Sequence, residues 1–214
     1  IQRVYEGVKK SNKFTEVIVA TDDTRIYEEV TRFGGSVRMT RENHQSGTDR
    51  CAEIAKDFPE MDVVINIQGD EPLVDYRQLE QLVAAFEQPT THIATLGIRT
   101  NSTEDLHNPN RIKIVLNHAH KALYFSRSAI PNFSNNTGNP IEKYPFLKHI
   151  GLYGYRNETL QQISALQPTQ LEQIESLEQL RWLYHGYEIQ VVETTIETPN
   201  IDVPEDVQKV LAFL

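Results

Sequence analysis

The chain predicts an α/β fold layered around a largely parallel sheet. Short strand-like runs alternate with stretches of helical periodicity along its length, and 214 residues, 39% of them hydrophobic, can bury one sizeable core. A third observation is local. In "INIQGDEP", residues 65–72, an apolar run stops against Gln68, Gly69 and the adjacent acids Asp70 and Glu71. Open α/β sheets place ligands at such strand ends.

The elements follow in order. "IQRVYEGVKK" reads as mid-helix, and Ile1 is no initiator, so the natural chain is expected to begin upstream. "EVIVATDD" is a strand whose terminal Thr21, Asp22 and Asp23 can cap the next helix. "GSVRMT" and "DVVINIQGDE" are the next strands, separated by the helix "TDRCAEIAKDF". After the helix "LEQLVAAFEQ" comes the strand "HIATLGI"; "IKIVLN" and "KALYFSRSAI" then flank "HAHK" as an antiparallel hairpin. The loop at residues 132–140, rich in Asn, Pro and Gly, is expected to be mobile, and "HIGLYGYR" follows it as a strand. One long helix is predicted through "LEQIESLEQLRWLYHG", with Leu171, Ile174, Leu177, Leu180 and Leu183 on one face. The strand "EIQVVET" and the helix "PEDVQKVLAFL" close the chain.

Composition removes several function classes. Twenty-one Lys and Arg against 30 Asp and Glu give a net charge of -9, which argues against a nucleic-acid partner. The single cysteine, Cys51, excludes an intrachain disulfide framework and suits a reducing cytosol. No run approaches the roughly 18 apolar residues of a membrane span. The sequons at Asn135 and Asn157 therefore read as coincidental. Neither G-x-x-x-x-G-K-[ST] nor G-x-G-x-x-G occurs, so a P-loop nucleotidase and a dinucleotide dehydrogenase are both unsupported.

In the opening octet, Val64, Ile65 and Ile67 are expected to bury, Gln68, Asp70 and Glu71 to emerge at the rim, and Gly69 to give the backbone room to turn. A carboxylate there can hold a hard cation such as magnesium, which takes one or two protein carboxylates plus substrate phosphates. It can equally cap a turn before Pro72.

"ENHQSGTDR", "VVINIQGDEPLV", "NPNRIKIVLN", "KALYFSRSAIP", "FLKHIGLYGYR", "LEQIESLEQLRWLYHG" and "IDVPEDV" stand in the order and spacing of one family. The chain resembles the 3-deoxy-manno-octulosonate (KDO) cytidylyltransferases over nearly its whole length. The resemblance implies a Rossmann-like three-layer nucleotidyltransferase fold, with a mainly parallel sheet and a small antiparallel hairpin region. It also implies a cytoplasmic, homodimeric, magnesium-dependent enzyme. CTP and KDO would be its substrates, CMP-KDO and pyrophosphate its products, and lipopolysaccharide biosynthesis its destination. Family members open with a strand and a loop resembling PARxxSxRLPGK whose Arg and Lys hold the triphosphate. The single domain, residues 1–214, starts after that segment and is expected to be N-terminally incomplete.

By the same resemblance, Asp70 and Asp202 are the catalytic magnesium ligands, and Ser46, Gly47, Thr48 and Arg50 face the nucleotide. Gln68, Arg127, His149, Tyr153, Glu178 and Gln179 are candidates for the sugar acid. Arg127 suits a carboxylate because its planar fork donates two parallel hydrogen bonds. Each has a structural alternative: Asp202 as a helix cap, S-G-T-D as a turn and cap, Arg127 as a solvated hairpin end, His149 as a satisfied core residue, Glu178 on a solvated helix face. Two rival functions are a cytidylyltransferase for 8-amino-KDO or sialic acid, and a non-catalytic nucleotide-sugar-binding module.

Overall fold

The computed structural model describes residues 1–134, 137–199 and 206–212, with Asp206 and Lys209 described by their backbone alone. The elements run α1 (Gln2–Lys9), β1 (Val19–Thr21), α2 (Thr24–Arg32), β2 (Val37–Met39), α3 (Gly47–Ala55), β3 (Val63–Asn66) and α4 (Tyr76–Ala84, prolonged by a 3-10 turn over Ala85–Glu87). Then come β4 (Ile93–Arg99), α5 (Thr103–His107), β5 (Lys113–Leu116), β6 (Ala122–Ser126), α6 (Pro140–Lys143) and β7 (Leu147–Arg156). The last are α7 (Asn157–Ser164), α8 (Gln170–Glu175), α9 (Gln179–Tyr184), β8 (Ile189–Thr194) and α10 (Asp206–Leu211).

Short polar residues start many of these helices. The Asp23 carboxylate accepts from the Arg25 amide at the head of α2, Ser46 from the Asp49 amide at α3, and Asp75 from the Arg77 amide at α4. Each satisfies an amide that has no partner within the helix. Thr169 and Glu172 form a reciprocal capping box at α8.

Among the described residues six strands form the main sheet, in the order β6-β5-β7-β4-β8, with β3 also on β7. The layered α/β architecture stands, but the sheet is mixed rather than mainly parallel. Within it β4 and β8 are parallel, whereas β7 is antiparallel to β3, β4 and β5, and β5 to β6 as the hairpin reading expects. Hydrophobic pattern marks a strand but does not carry its direction. The ten-residue β7 is the spine: one edge pairs with β4 on both sides of a bulge at Gly151 and Leu152, and the other is shared. On that shared edge β5 takes Leu147 and Lys148, while β3 takes Tyr153 to Arg156. The two strands diverge between these positions and leave a fork.

Alternation along the strands sends side chains to two cores. Ile93, Ile114, Tyr155 and Val191 pack with Ala52 of α3, Leu160 of α7 and Leu180 and Trp182 of α9. Ala94, Leu96 and Leu152 pack on the opposite face with Val4 and Val8 of α1 and Leu79 and Leu82 of α4. Each fully buried Leu or Ile contributes about 1.5–3 kcal/mol. Helices on both faces make three layers. At Gly154 a Cβ would lie 2.6 Å from Phe86 Cε2 and 2.8 Å from Ile65 Cδ1, so glycine is what lets Phe86 close on the sheet there.

The parallel pair β1–β2 forms a separate ribbon. Between β1 and β3 lies an apolar slot of about 660 Å³, lined by strand residues Val19, Val64 and Ile65, by Val4 and Val8 of α1, and by Cys51 and Ile54 of α3. Among the described residues β1 pairs only with β2 and β3 only with β7, so each strand turns an unpaired edge toward the slot.

The predicted long helix at 171–186 is two short ones. After α8 the chain turns at Ser176, which takes the left-handed conformation (φ 52°), and α9 restarts at Gln179. Leu177 and Leu180 are buried, but Ile174 is 82% exposed, so the predicted apolar face is not continuous. Asn157 turns its amide inward onto the carbonyls of Ala55, Phe58 and Met61, a structural use that suits the coincidental reading of its sequon. Asn135 lies outside the described residues.

Candidate functional site

A polar cleft of about 420 Å³ opens at the fork where β3 and β5 part from β7. Gln68, Asp70 and Glu71 reach it from the turn after β3, His149 and Tyr153 from β7, and Glu178, Gln179 and Trp182 from the start of α9. Gly47 and Thr48 enter from the head of α3, Arg127 from the end of β6. The break between α8 and α9 is what brings Glu178 here. Its two carboxylate oxygens accept from Ser46 Oγ (2.9 Å) and Thr48 Oγ1 (2.7 Å), tying two helix starts 130 residues apart in sequence. Burial raises the Glu178 pKa, and the two hydroxyls partly offset that shift.

The break is held from the sheet. Ser126 Oγ and the Arg127 amide donate to the Glu175 carboxylate, and the Arg127 guanidinium donates to the carbonyls of Glu175 (2.7 Å), Ser176 (3.3 Å) and Pro109 (3.0 Å). The Arg181 guanidinium grips the Glu172 carboxylate (2.8 and 2.5 Å) and the Leu166 carbonyl (3.1 Å). Beside the cleft, Lys148 pairs with Asp105 (2.9 Å) and Glu197, and Gln78 donates to the Ile196 carbonyl (2.9 Å). The segment at 196–197 is thereby anchored at the cleft.

Three aromatic groups face each other on this wall, Tyr153 and Trp182 buried and His149 half-buried. His149 is 5.2 Å from Tyr153 between ring centroids, and Tyr153 is 5.2 Å from Trp182, edge-on. Burial pushes the His149 imidazole down to about 3, so the ring is neutral at physiological pH. Burial and then the charge of Glu178 raise the Tyr153 phenol, which stays protonated. Among the described residues Trp182 Nε1 has no hydrogen-bond partner, and Tyr153 Oη has the Thr95 side chain as a polar neighbour, without good hydrogen-bond geometry. Both residues line the cleft, with these two polar atoms themselves buried.

The cytidylyltransferase family profile matches residues 1–191. The 3-deoxy-manno-octulosonate cytidylyltransferase of Parabacteroides distasonis is 48% identical, covering 100% of this chain and 87% of that protein. The corresponding protein of Bacteroides thetaiotaomicron is 49% identical with the same coverage. A solved structure of CMP:2-keto-3-deoxy-manno-octonic acid synthetase complexed with CTP superposes with a TM-score of 0.92 at 42% identity, covering 100% of this chain and 86% of that one. The chain belongs to the 3-deoxy-manno-octulosonate cytidylyltransferase family.

Within this cytidylyltransferase fold, the cleft brings Gly47, Thr48, Gln68, Asp70, Arg127, His149, Tyr153, Glu178 and Gln179 together, with Ser46 joined through Glu178. Arg50 departs from them: its guanidinium turns to the slot side and donates to Asp22 (2.8 Å) and Thr40. Asp202 lies outside the described residues. A Cβ at Gly69 would make only an ordinary contact, 3.7 Å from Ile1 Cδ1, so the turn does not depend on glycine. Sequence reasoning missed Lys148, Trp182 and Thr95. The first stands next to His149, and a lone tryptophan beside "LEQLR" was a usable signal. Thr95 gave none. Among the described residues no group of three or more His, Cys, Asp or Glu is placed to hold a metal, and no helix is long and apolar enough to cross a membrane.

Proposed function

We propose that this chain transfers CMP from CTP to KDO, releasing pyrophosphate and supplying CMP-KDO for lipopolysaccharide biosynthesis. The observation that carries the reading is the near-full-length likeness to the synthetase complexed with CTP, together with a polar cleft at the strand fork. The anomeric hydroxyl of KDO attacks the α-phosphorus of CTP in line. The new C–O–P bond forms as the bond from the α-phosphorus to the pyrophosphate oxygen breaks.

The chain's own residues bind and orient. Thr48 and Ser46, fixed by Glu178, set the start of α3 against the nucleotide. His149, Tyr153, Gln68 and Gln179 surround the sugar acid as neutral hydrogen-bonding groups. Arg127 contributes from the edge while it holds the carbonyls of the α8–α9 turn in place.

The rim chemistry fits magnesium. Asp70 and Glu71 offer hard oxygen donors, and with no three-residue cluster among the described residues, such an ion would draw most of its shell from phosphate and water. Asp70 and Asp202, the latter supported by its sequence motif, would hold the ion, which when bound neutralises phosphate charge and acidifies the attacking hydroxyl. The enzyme acts in the cytoplasm, a reading that suits its single cysteine, and as a homodimer, as the family resemblance implies.

Pyrophosphate release is the test. Mixing the protein with CTP, KDO and magnesium should release pyrophosphate, and omitting any one should stop it. Release with sialic acid or 8-amino-KDO in place of KDO would reassign the sugar, and none with any of the three would favour a binding module. Light scattering should give twice the chain mass; the monomer mass would remove the homodimer.

A further inference from the structure

β7 carries a bulge where it passes β4. Thr95 pairs with Tyr153, but the next residue, Leu96, pairs with Ile150, so Gly151 and Leu152 stand outside the register. In an unbroken strand residues four apart lie about 13 Å from one another. The bulge instead sets His149 and Tyr153 opposite Gly97 and Thr95, two residues apart on β4, and their rings meet. It also draws the carbonyls of Ile150 and Leu152 toward β4, where the fully buried Thr95 hydroxyl lies 3.3 and 2.8 Å from them. The same oxygen is 2.9 Å from His149 Nε2.

A hydroxyl has one proton to give. Without it between them, two oxygens 2.8 Å apart would set lone pair against lone pair, so the Thr95 proton lies on the path to Leu152. Thr95 Oγ1 then meets His149 Nε2 as an acceptor, and Nε2 must carry the hydrogen. In a neutral imidazole the other nitrogen, Nδ1, is left with a lone pair.

We propose that Thr95 is a positioning residue that fixes His149 as the Nε2–H tautomer, so that the ring meets the sugar acid through Nδ1 as a hydrogen-bond acceptor and selects a hydroxyl rather than the carboxylate. The tautomer follows from the geometry alone; the ligand rests on the reading of the cleft as the sugar site. Burial acts in the same direction: a neutral ring does not attract a carboxylate, and with its one hydrogen on Nε2 it does not donate from Nδ1.

Long-range proton–nitrogen correlation spectra of protein labelled at histidine nitrogen test the tautomer directly, with the His149→Phe variant giving the assignment. At pH 7, Nε2 should be protonated and Nδ1 should not. A charged ring, or the opposite tautomer, overturns the proposal whatever the activity. Thr95→Ser keeps the hydroxyl and should hold both the tautomer and the KM for KDO within about twofold. Thr95→Val should mix the tautomers and raise the KM for KDO by about threefold to tenfold, with kcat and the KM for CTP changed less. A folded Thr95→Val protein with native tautomer and native KM overturns the proposal. If Thr95→Val does not fold, the spectra of the native protein and Thr95→Ser still decide. Absence of turnover with KDO in the native protein would count against the proposed function and leave the tautomer assignment measurable.

Discussion

The slot between β1 and β3 encloses about 660 Å³ and the cleft at the β3–β5 fork about 420 Å³, yet most of the candidate polar side chains gather at the smaller. β3 borders both. On the slot side it presents a free edge among Val, Ile and Cys side chains, and burial pushes the Cys51 thiol up to about 12, which leaves it inert. On the cleft side the chain leaves β3 through Gln68 and Asp70, facing a wall whose buried polar atoms are largely cross-linked. Volume alone therefore does not single out the cavity where the polar side chains converge. An apolar slot with an unpaired strand edge on each side, sandwiched between α1 and α3, is shaped for a strand; a polar cleft at the end of β3 is shaped for a ligand.

If the cleft wall depends on its buried polar pairs, breaking one should cost more than any change in the slot. Arg181 and Glu172, with side chains only 9% and 13% exposed, form such a pair under the α8–α9 turn. Arg181→Ala leaves the largely buried carboxylate with only the Thr169 amide and should cost about 3 kcal/mol in urea unfolding. A loss under about 1 kcal/mol would mean that the turn is held mainly by Arg127 and that the wall is less tightly built than its geometry indicates.

The rim should separate function from stability. Asp70→Asn is expected to lower turnover more than about a hundredfold while leaving the unfolding midpoint of the ligand-free protein unchanged, because an exposed rim carboxylate contributes little to packing. A variant keeping a tenth of native turnover in saturating magnesium would remove Asp70 from the chemistry.

How much of this was legible beforehand differs between the two regions. Most strands and helices were readable from periodicity, and Asp70, His149 and Glu178 from the motifs. The break at Ser176 was not, because no glycine or proline marks it. It is imposed by Arg127 and Ser126 holding carbonyls and a carboxylate from outside the segment, with Arg181 of α9 gripping Glu172 of α8 across the turn, and such tertiary contacts override local helix propensity. The bulge in β7 was invisible for a similar reason, since "HIGLYGY" alternates acceptably as a plain strand and only its partner β4 reveals the slip. Strand direction, and hence the mixed sheet, was likewise a property of partners. The turn of Arg50 away from the cleft depends on Asp22 and Thr40, which no local pattern links to it.

A smaller effect concerns pH. The folded-state pKa of His149 lies near 3, below its ordinary 6.5, because burial disfavours the charged ring. The unfolded chain therefore takes up a proton that the folded chain refuses as pH falls from 6.5 toward 3. Stability is lost across that window, by at most about 1.4 kcal/mol per pH unit. His149→Phe should flatten the slope of stability against pH between 6.5 and about 5, above the range, from 4.5 down to about 2, over which the depressed carboxyls of Asp23 and Glu53 lose their contribution. Equal slopes for the two proteins would show that water reaches the ring, and that the cleft wall is wetter than the packing of Phe125 and Tyr153 around it indicates.

The smallest effect tests the slot itself. Ile18 lines it without belonging to either core, so Ile18→Thr adds a hydroxyl where water can still reach. In a chain of these 214 residues the change should cost no more than about 1 kcal/mol and leave pyrophosphate release untouched. Amides of β1 and β3 should exchange with solvent faster than those of β4 and β7, because an unpaired edge opens locally without unfolding the sheet. A strand paired with both edges would reverse both results: it would slow exchange at β1 and β3 toward that of β7, and it would desolvate the new hydroxyl at a cost of about 1–3 kcal/mol. Comparing the variant with and without an added strand-forming segment thus measures whether β1–β2 is an independent ribbon or one half of a sheet that a single strand would make continuous.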